Sequence, residues 1–169
     1  TLNSQNGLTG SPRGLAARGD TLFVLAGGYG LHAVATGNVN TLALLDSEPL
    51  AAAQLLDLAV DGPRLAVAAR EDGIILLDAA DAGNPVPVTQ LIVDLGGGAL
   101  AVKGVRIAGT LLYCAVDATG LVVYDISDLA SPQLLGTDGG DWYSFDGLAL
   151  GDGRAYLNYW DGATAGVQI

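Results

Sequence analysis

Gly28-Tyr29-Gly30-Leu31-His32-Ala33 is the segment whose spacing promises the most chemistry. It fits G-x-G-x-x-A, follows the apolar run Thr21–Ala26, and has Asp46 18 residues beyond Gly28. A dinucleotide-binding turn of this kind seats a pyrophosphate on the N-terminus of the next helix. That helix is not expected here. Gly37 and Asn38 interrupt it within two turns, and Val34, Thr36 and Val39 disfavour it. His32 is the only histidine, which excludes a His-cluster metal site and leaves one candidate for acid–base work. No serine stands in G-x-S-x-G, so nothing points to a triad around it. Cys114 is also alone, so neither an intrachain disulfide nor a cysteine-built metal site is available.

Two further groups of residues invite a ligand. Thr137-Asp138-Gly139-Gly140-Asp141 and Gly151-Asp152-Gly153 place carboxylates beside glycines, and calcium takes six to eight oxygens. Neither contains a D-x-[DN]-x-[DN]-G loop, and turn chemistry accounts for both. Calcium is therefore the one cofactor these loops would suit, and no cofactor is expected. Trp142, Tyr143 and Phe145, within Asp141–Asp146, form the densest aromatic cluster, with Trp160 one strand away. Aromatic side chains bury large areas and carry a polar handle, which favours them at interfaces. These four are the candidate contact surface; packing between structural repeats is the alternative.

Charge narrows the partners. Seven basic residues against 18 acidic ones give a formal net charge of −11, and Lys103 is the only lysine. Binding nucleic acid needs cations to displace phosphate counterions, so no nucleic-acid partner is expected. An anionic membrane surface repels such a chain too, and the longest apolar runs, such as Ile74–Leu77, are far too short to span a bilayer. Methionine is absent even from position 1, so the chain is expected to be a processed product or a segment of a longer one.

The elements that carry these residues recur. Gly14–Ala26, Asp57–Ala69, Gly104–Val116 and Gly147–Tyr159 align with steps of 43, 47 and 43 residues between Leu22, Leu65, Leu112 and Ala155. This is the period of a propeller blade. Each copy reads as an alternating strand, a Gly/Asp turn and a second strand. A third strand follows another glycine: Leu31–Val34, Ile74–Leu77, Leu121–Tyr124 and Val167–Ile169. Weaker fourth strands are expected over Leu42–Leu45, Val86–Ile92 and Gln133–Leu135. The expectation is an all-β propeller of four-stranded antiparallel blades: a lead-in over 1–12, blades over 13–54, 55–101 and 102–144, and a truncated blade over 145–169. With half a blade missing, the ring is expected to be incomplete, closed by further blades or by a partner chain at the open sheet edge. One stretch departs from the β pattern. Ser47 and Pro49 suit a helix start, and a short helix is expected over Pro49–Leu55.

In the third copy, Gly120–Gly136 reads GLVVYDISDLASPQLLG, and in the second, Gly73–Val88 reads GIILLDAADAGNPVPV. Asp78 and Asp125 end a strand, and Asp81 and Asp128 follow three residues on. All four are expected to be structural, accepting backbone N–H groups of their turns. The pattern resembles the LVIVD repeat, a propeller repeat of bacterial and archaeal proteins, many of them surface-associated. The first copy departs from it, with Ala35 in place of the aspartate, and the fourth stops before that position. The resemblance implies a scaffold for binding or assembly, no shared catalytic residues, and a cell-surface or extracellular location. The expected function is thus a non-enzymatic structural or protein–protein interaction segment. A carbohydrate- or ligand-binding propeller using the aromatic face is the first alternative. An enzyme with its catalytic residues outside this chain is the second.

Overall fold

Strands that are apolar on both faces and joined by two-residue turns have one economical outcome: an up-and-down sheet covered on both sides. A computed structural model describes residues 10–38, 42–138, 144–160 and 162–168. Among them there are four antiparallel sheets and no helix. Blade 1 holds β1 (Ser11–Arg18), β2 (Thr21–Gly27), β3 (Gly30–Ala35) and β4 (Ala43–Glu48), hydrogen-bonded in that order. Blade 2 repeats this with β5 (Asp57–Asp61), β6 (Arg64–Ala68), β7 (Ile74–Asp78) and β8 (Val86–Leu91). Blade 3 has β9 (Val102–Ala108), β10 (Leu111–Val116), β11 (Gly120–Asp125) and β12 (Gln133–Asp138). Blade 4 has three strands among the described residues, β13 (Ser144–Gly151), β14 (Arg154–Trp160) and β15 (Ala165–Gln168).

The blades stack face to face in chain order. Their first strands run side by side, β1 against β5, β5 against β9 and β9 against β13. Among the described residues no comparable packing joins β13 to β1, so the blades form an open arc. Each blade meets the next through the alternate residues of its strands. Phe23, Leu25, Leu31 and Ala33 of blade 1 pack on Leu58, Leu65, Val67, Ile75 and Leu77 of blade 2. Ala59, Ala66, Ala68, Ile74 and Leu76, on the other face of blade 2, pack on Val105, Leu112, Cys114, Val122 and Tyr124 of blade 3. The last seam is smaller, with Ala115, Tyr113 and Leu121 against Leu148 and Leu157. Full burial of a large apolar side chain stabilises by roughly 1.5–3 kcal/mol, so these seams hold the arc together.

The glycine at the start of the third strand in blades 1 and 2 has a steric reason. Gly30 has φ +95°, and a Cβ there would lie 2.1 Å from the carbonyl oxygen of Glu48. Gly73, with φ +78°, stands in the same relation to Leu91, again at 2.1 Å. Only a residue without a side chain lets the fourth strand come that close.

The helix expected over Pro49–Leu55 does not form; residues 49–56 are irregular chain between β4 and β5. Leu55 is drawn into the core between blades 1 and 2, with Leu50 and Ala52 packed against it. The Ala53 N–H donates to the Asp72 carboxylate at 2.7 Å, and the Leu56 N–H to the Ala68 carbonyl at 2.9 Å. A helix of seven residues has little stability of its own, and these tertiary bonds override its propensity.

Candidate functional site

The polar side chains serve first to join blades. Arg18, at the end of β1, donates to the carbonyls of Gly62 and Ala79 in blade 2. Arg64, at the start of β6, donates to the Ile126 carbonyl in blade 3 at 3.1 Å. The two arginines sit on different strands but in one place, since Arg18 faces Thr21, and Arg64 faces Asp61, across the same hairpin. Their acceptors also correspond. Ala79 and Ile126 each follow the third strand, and each N–H returns to its own blade's first turn, to Pro63 at 2.7 Å and Thr110 at 2.8 Å. Nearer the axis, Asp57 pairs with Arg106 at 2.7 Å and accepts the Val105 N–H at 3.1 Å, tying β5 to β9. Guanidinium bonds to backbone carbonyls are charge-assisted and directional, which suits them to fixing the step between blades.

Asp78 and Asp125 accept the N–H groups of Ala80 and Ser127, both at 2.8 Å, and Asp81 and Asp128 accept those of Gly83 and Ala130, both at 2.9 Å. The carboxylates thereby hold the turn after each third strand, on which the arginine acceptor lies. Asp94 accepts from Gly96, Gly97 and Gly98 at 2.8, 3.2 and 3.1 Å. Those donors, Gly96 and Gly98 foremost, hold its carboxyl below the usual carboxylate range. Asp152 has φ 52° in the hairpin turn between β13 and β14, with Gly153 beside it at 72°. Residues 139–141 of the other acidic loop lie outside the described residues. No group of three or more His, Cys, Asp or Glu is placed to hold a metal ion among the described residues.

The remaining candidates that the structure describes each have a place in the fold. Leu31, His32 and Ala33 belong to strand β3, so no helix follows the glycine pair. His32 is buried, with Nδ1 2.7 Å from the Ser47 hydroxyl. Cys114 is buried in the seam between blades 2 and 3, and burial pushes its thiol pKa up. Tyr124, in the same seam, is pushed up to about 12, by burial first and then by its proximity to Cys114. A thiol held neutral is a poor nucleophile. Trp142 and Tyr143 lie outside the described residues, as does the side chain of Phe145 in β13. Trp160 ends β14, 55% exposed.

Trp160 belongs to a surface that the sequence did not single out. Arg154, Tyr156, Asn158 and Trp160 alternate along β14 on the side away from blade 3, with Ala149 opposite Tyr156, Val167 opposite Asn158 and Ala165 opposite Trp160. Every one of these is exposed except Tyr156, which is half-buried, and Val167 is 62% exposed. Tyr156 holds the position of Phe23 in blade 1 and Tyr113 in blade 3, both of which pack against the following blade. Val167 likewise corresponds to Leu31, Ile74 and Leu121. Comparing the alternate residues of the four aligned copies was the signal available in the sequence.

Residues 101–137, which cover blade 3, match the LVIVD repeat. No curated protein is significantly similar to the chain in sequence. Among solved structures, the computationally designed Ika4 protein is similar with a TM-score of 0.69 and 17% identity, over 96% of this chain and 92% of that one. The computationally designed Ika8 protein gives 0.65 and 16%, over 93% of this chain and 45% of that one. The dihydro-heme d1 dehydrogenase NirN, in complex with DHE, gives 0.65 and 20%, over 94% of this chain and 33% of that one. The chain thus spans nearly the whole of one relative and less than half of the other two. At these identities the likeness is one of fold. The chain is a β-propeller of four blades whose third blade carries an LVIVD repeat.

Proposed function

We propose that the chain is a non-enzymatic propeller segment that serves as a structural or protein–protein interaction scaffold, within a larger cell-surface or secreted protein. The observation that carries this reading is the outer face of blade 4, where Tyr156 and Val167 occupy packing positions but Val167 is exposed and Tyr156 only half-buried. Exposed apolar residues gathered on one face mark interaction sites more often than chemistry. The polar groups argue the same way, since Arg18, Arg64, Asp57, Asp78 and Asp125 are engaged in holding turns and blades.

Trp160, exposed beside Asn158, favours a second reading: a carbohydrate- or ligand-binding face. A third, part of an enzyme whose catalytic residues lie elsewhere, draws on NirN, a dehydrogenase by name, and rests on fold alone. Calorimetric titration of the chain with neutral oligosaccharides separates the first two readings. The scaffold reading expects no saturable heat. Saturable binding that Trp160→Ala abolishes would overturn it in favour of the ligand-binding face.

A further inference from the structure

Two of the three seams inside the chain share an arginine contact, the hairpin of blade 3 having Ala108 and Leu111 at that position, and the same pattern leaves a donor at one end of the arc and an acceptor at the other. Blade 1 sends Arg18 to the carbonyl after the third strand of blade 2, and blade 2 sends Arg64 to the equivalent carbonyl of blade 3. Arg154 faces Gly151 across the first hairpin of blade 4, as Arg64 faces Asp61 in blade 2. It is exposed and has no hydrogen-bond or ion-pair partner among the described residues. At the other end, Thr36 follows the third strand of blade 1. Its N–H returns to the Asp20 carbonyl at 2.7 Å, as those of Ala79 and Ile126 return to their own first turns. Thr36 is therefore the residue whose carbonyl an arginine of a preceding blade would meet.

Packing residues flank both groups. On the same face of blade 4, Tyr156 and Ala149 lie next along the strands from Arg154, and Val167 lies beyond them, opposite Asn158. On the opposite face of blade 1, Leu15 and Ala17 of β1 correspond to Val105 and Ile107, which blade 3 packs against blade 2. Leu15 is 61% exposed and Ala17 is exposed, while Val24, His32 and Val34 farther from the axis are already buried. The open part of blade 1 is thus its axial part, beside the turn that carries Thr36.

We propose that a second copy of this chain docks its blade 1 on the outer face of blade 4, with Arg154 donating to the Thr36 carbonyl of that copy. The proposal rests on the scaffold reading and names its partner. Two copies related by a two-fold axis then pair the described end of each arc with the described start of the other. The length agrees. The arc covers 45% of Ika8, so two arcs account for nearly the whole of a chain of that size. Both copies carry a net charge of −11 and repel, so the contact should tighten as salt is raised to physiological strength.

Sedimentation equilibrium of the 169-residue chain is the test. The expected result is a mass twice the 17.0 kDa of one chain. Arg154→Glu and, independently, Val167→Asp should each weaken association about tenfold or more while leaving the β-sheet circular dichroism unchanged. Arg154→Cys combined with Thr36→Cys, treated with a short bis-maleimide, should link two chains. A mass of one chain at every concentration, open-ended polymers, association indifferent to both variants, or a link formed within a single chain would each overturn the proposal. A single-chain mass leaves the scaffold reading standing, because that reading fails on oligosaccharide binding instead.

Discussion

Blades 2 and 4 present corresponding faces to opposite fates. On blade 2, Ala59, Ala66, Ala68 and Ile74 are buried against blade 3. On blade 4 the matching residues are Ala149, Tyr156, Asn158 and Val167, and blade 4 has no following blade among the described residues to cover them. The strand order is the same in both, first pairing with second and second with third, although β13 carries a register shift between Phe145 and Gly147 that β5 of blade 2 lacks. A strand's fate as core or surface is therefore not written in its own hydrogen bonds. It is decided by whether another sheet stands opposite, because burial of the apolar face supplies the driving force. The arginines make the same point: the guanidinium of Arg64 has a carbonyl to meet, and that of Arg154 has none within the described chain.

The largest effect should come from emptying the covered face. Leu76→Ala removes a fully buried side chain between blades 2 and 3 and should cost about 2–5 kcal/mol. Val167→Ala on the uncovered face should stay within about 0.5 kcal/mol in dilute solution. Urea unfolding of both variants checks the pair, and equal costs would erase the distinction between the faces.

A smaller effect should appear with alkali, again at the covered face. The Cys114 thiol, ordinarily near 9.0, and the Tyr124 phenol, ordinarily near 10.0, are both raised in the fold. The neutral forms are favoured there, so the stability they contribute is complete below those values. It is lost as pH climbs through the raised ones, for Tyr124 between 10.0 and about 12. The urea midpoint should fall steadily above pH 9, and Cys114→Ala should flatten the decline. A midpoint unchanged up to pH 11 would show that the seam between blades 2 and 3 is wetter than the fold implies.

Much of this was legible beforehand. Spacing and turn residues placed the blades, because a strand that alternates and a turn that needs Gly or Asp leave local marks. The Asp78, Asp81, Asp125 and Asp128 caps were legible for the same reason, as each bonds an N–H two residues away. The segment at Pro49–Leu55 misled, since its helix signals are local while Asp72 and the core that capture it are distant. The arginine braces were hidden because Arg18 and Arg64 stand at different points of the repeat and meet one kind of site only across a folded hairpin. The outer face of blade 4 was hidden because Tyr156 has the type and position of a packing residue. Exposure depends on a neighbour that strand patterning does not reveal.

Trp160 reports on that face directly. With Trp142→Phe it is the only tryptophan, and acrylamide quenching of its emission can be followed from dilute to concentrated protein. An uncovered blade 4 predicts ready quenching in dilute solution and progressive protection as copies associate. A Trp160 already shielded in the dilute single chain would contradict the open arc, because the chain would then be covering its own last blade.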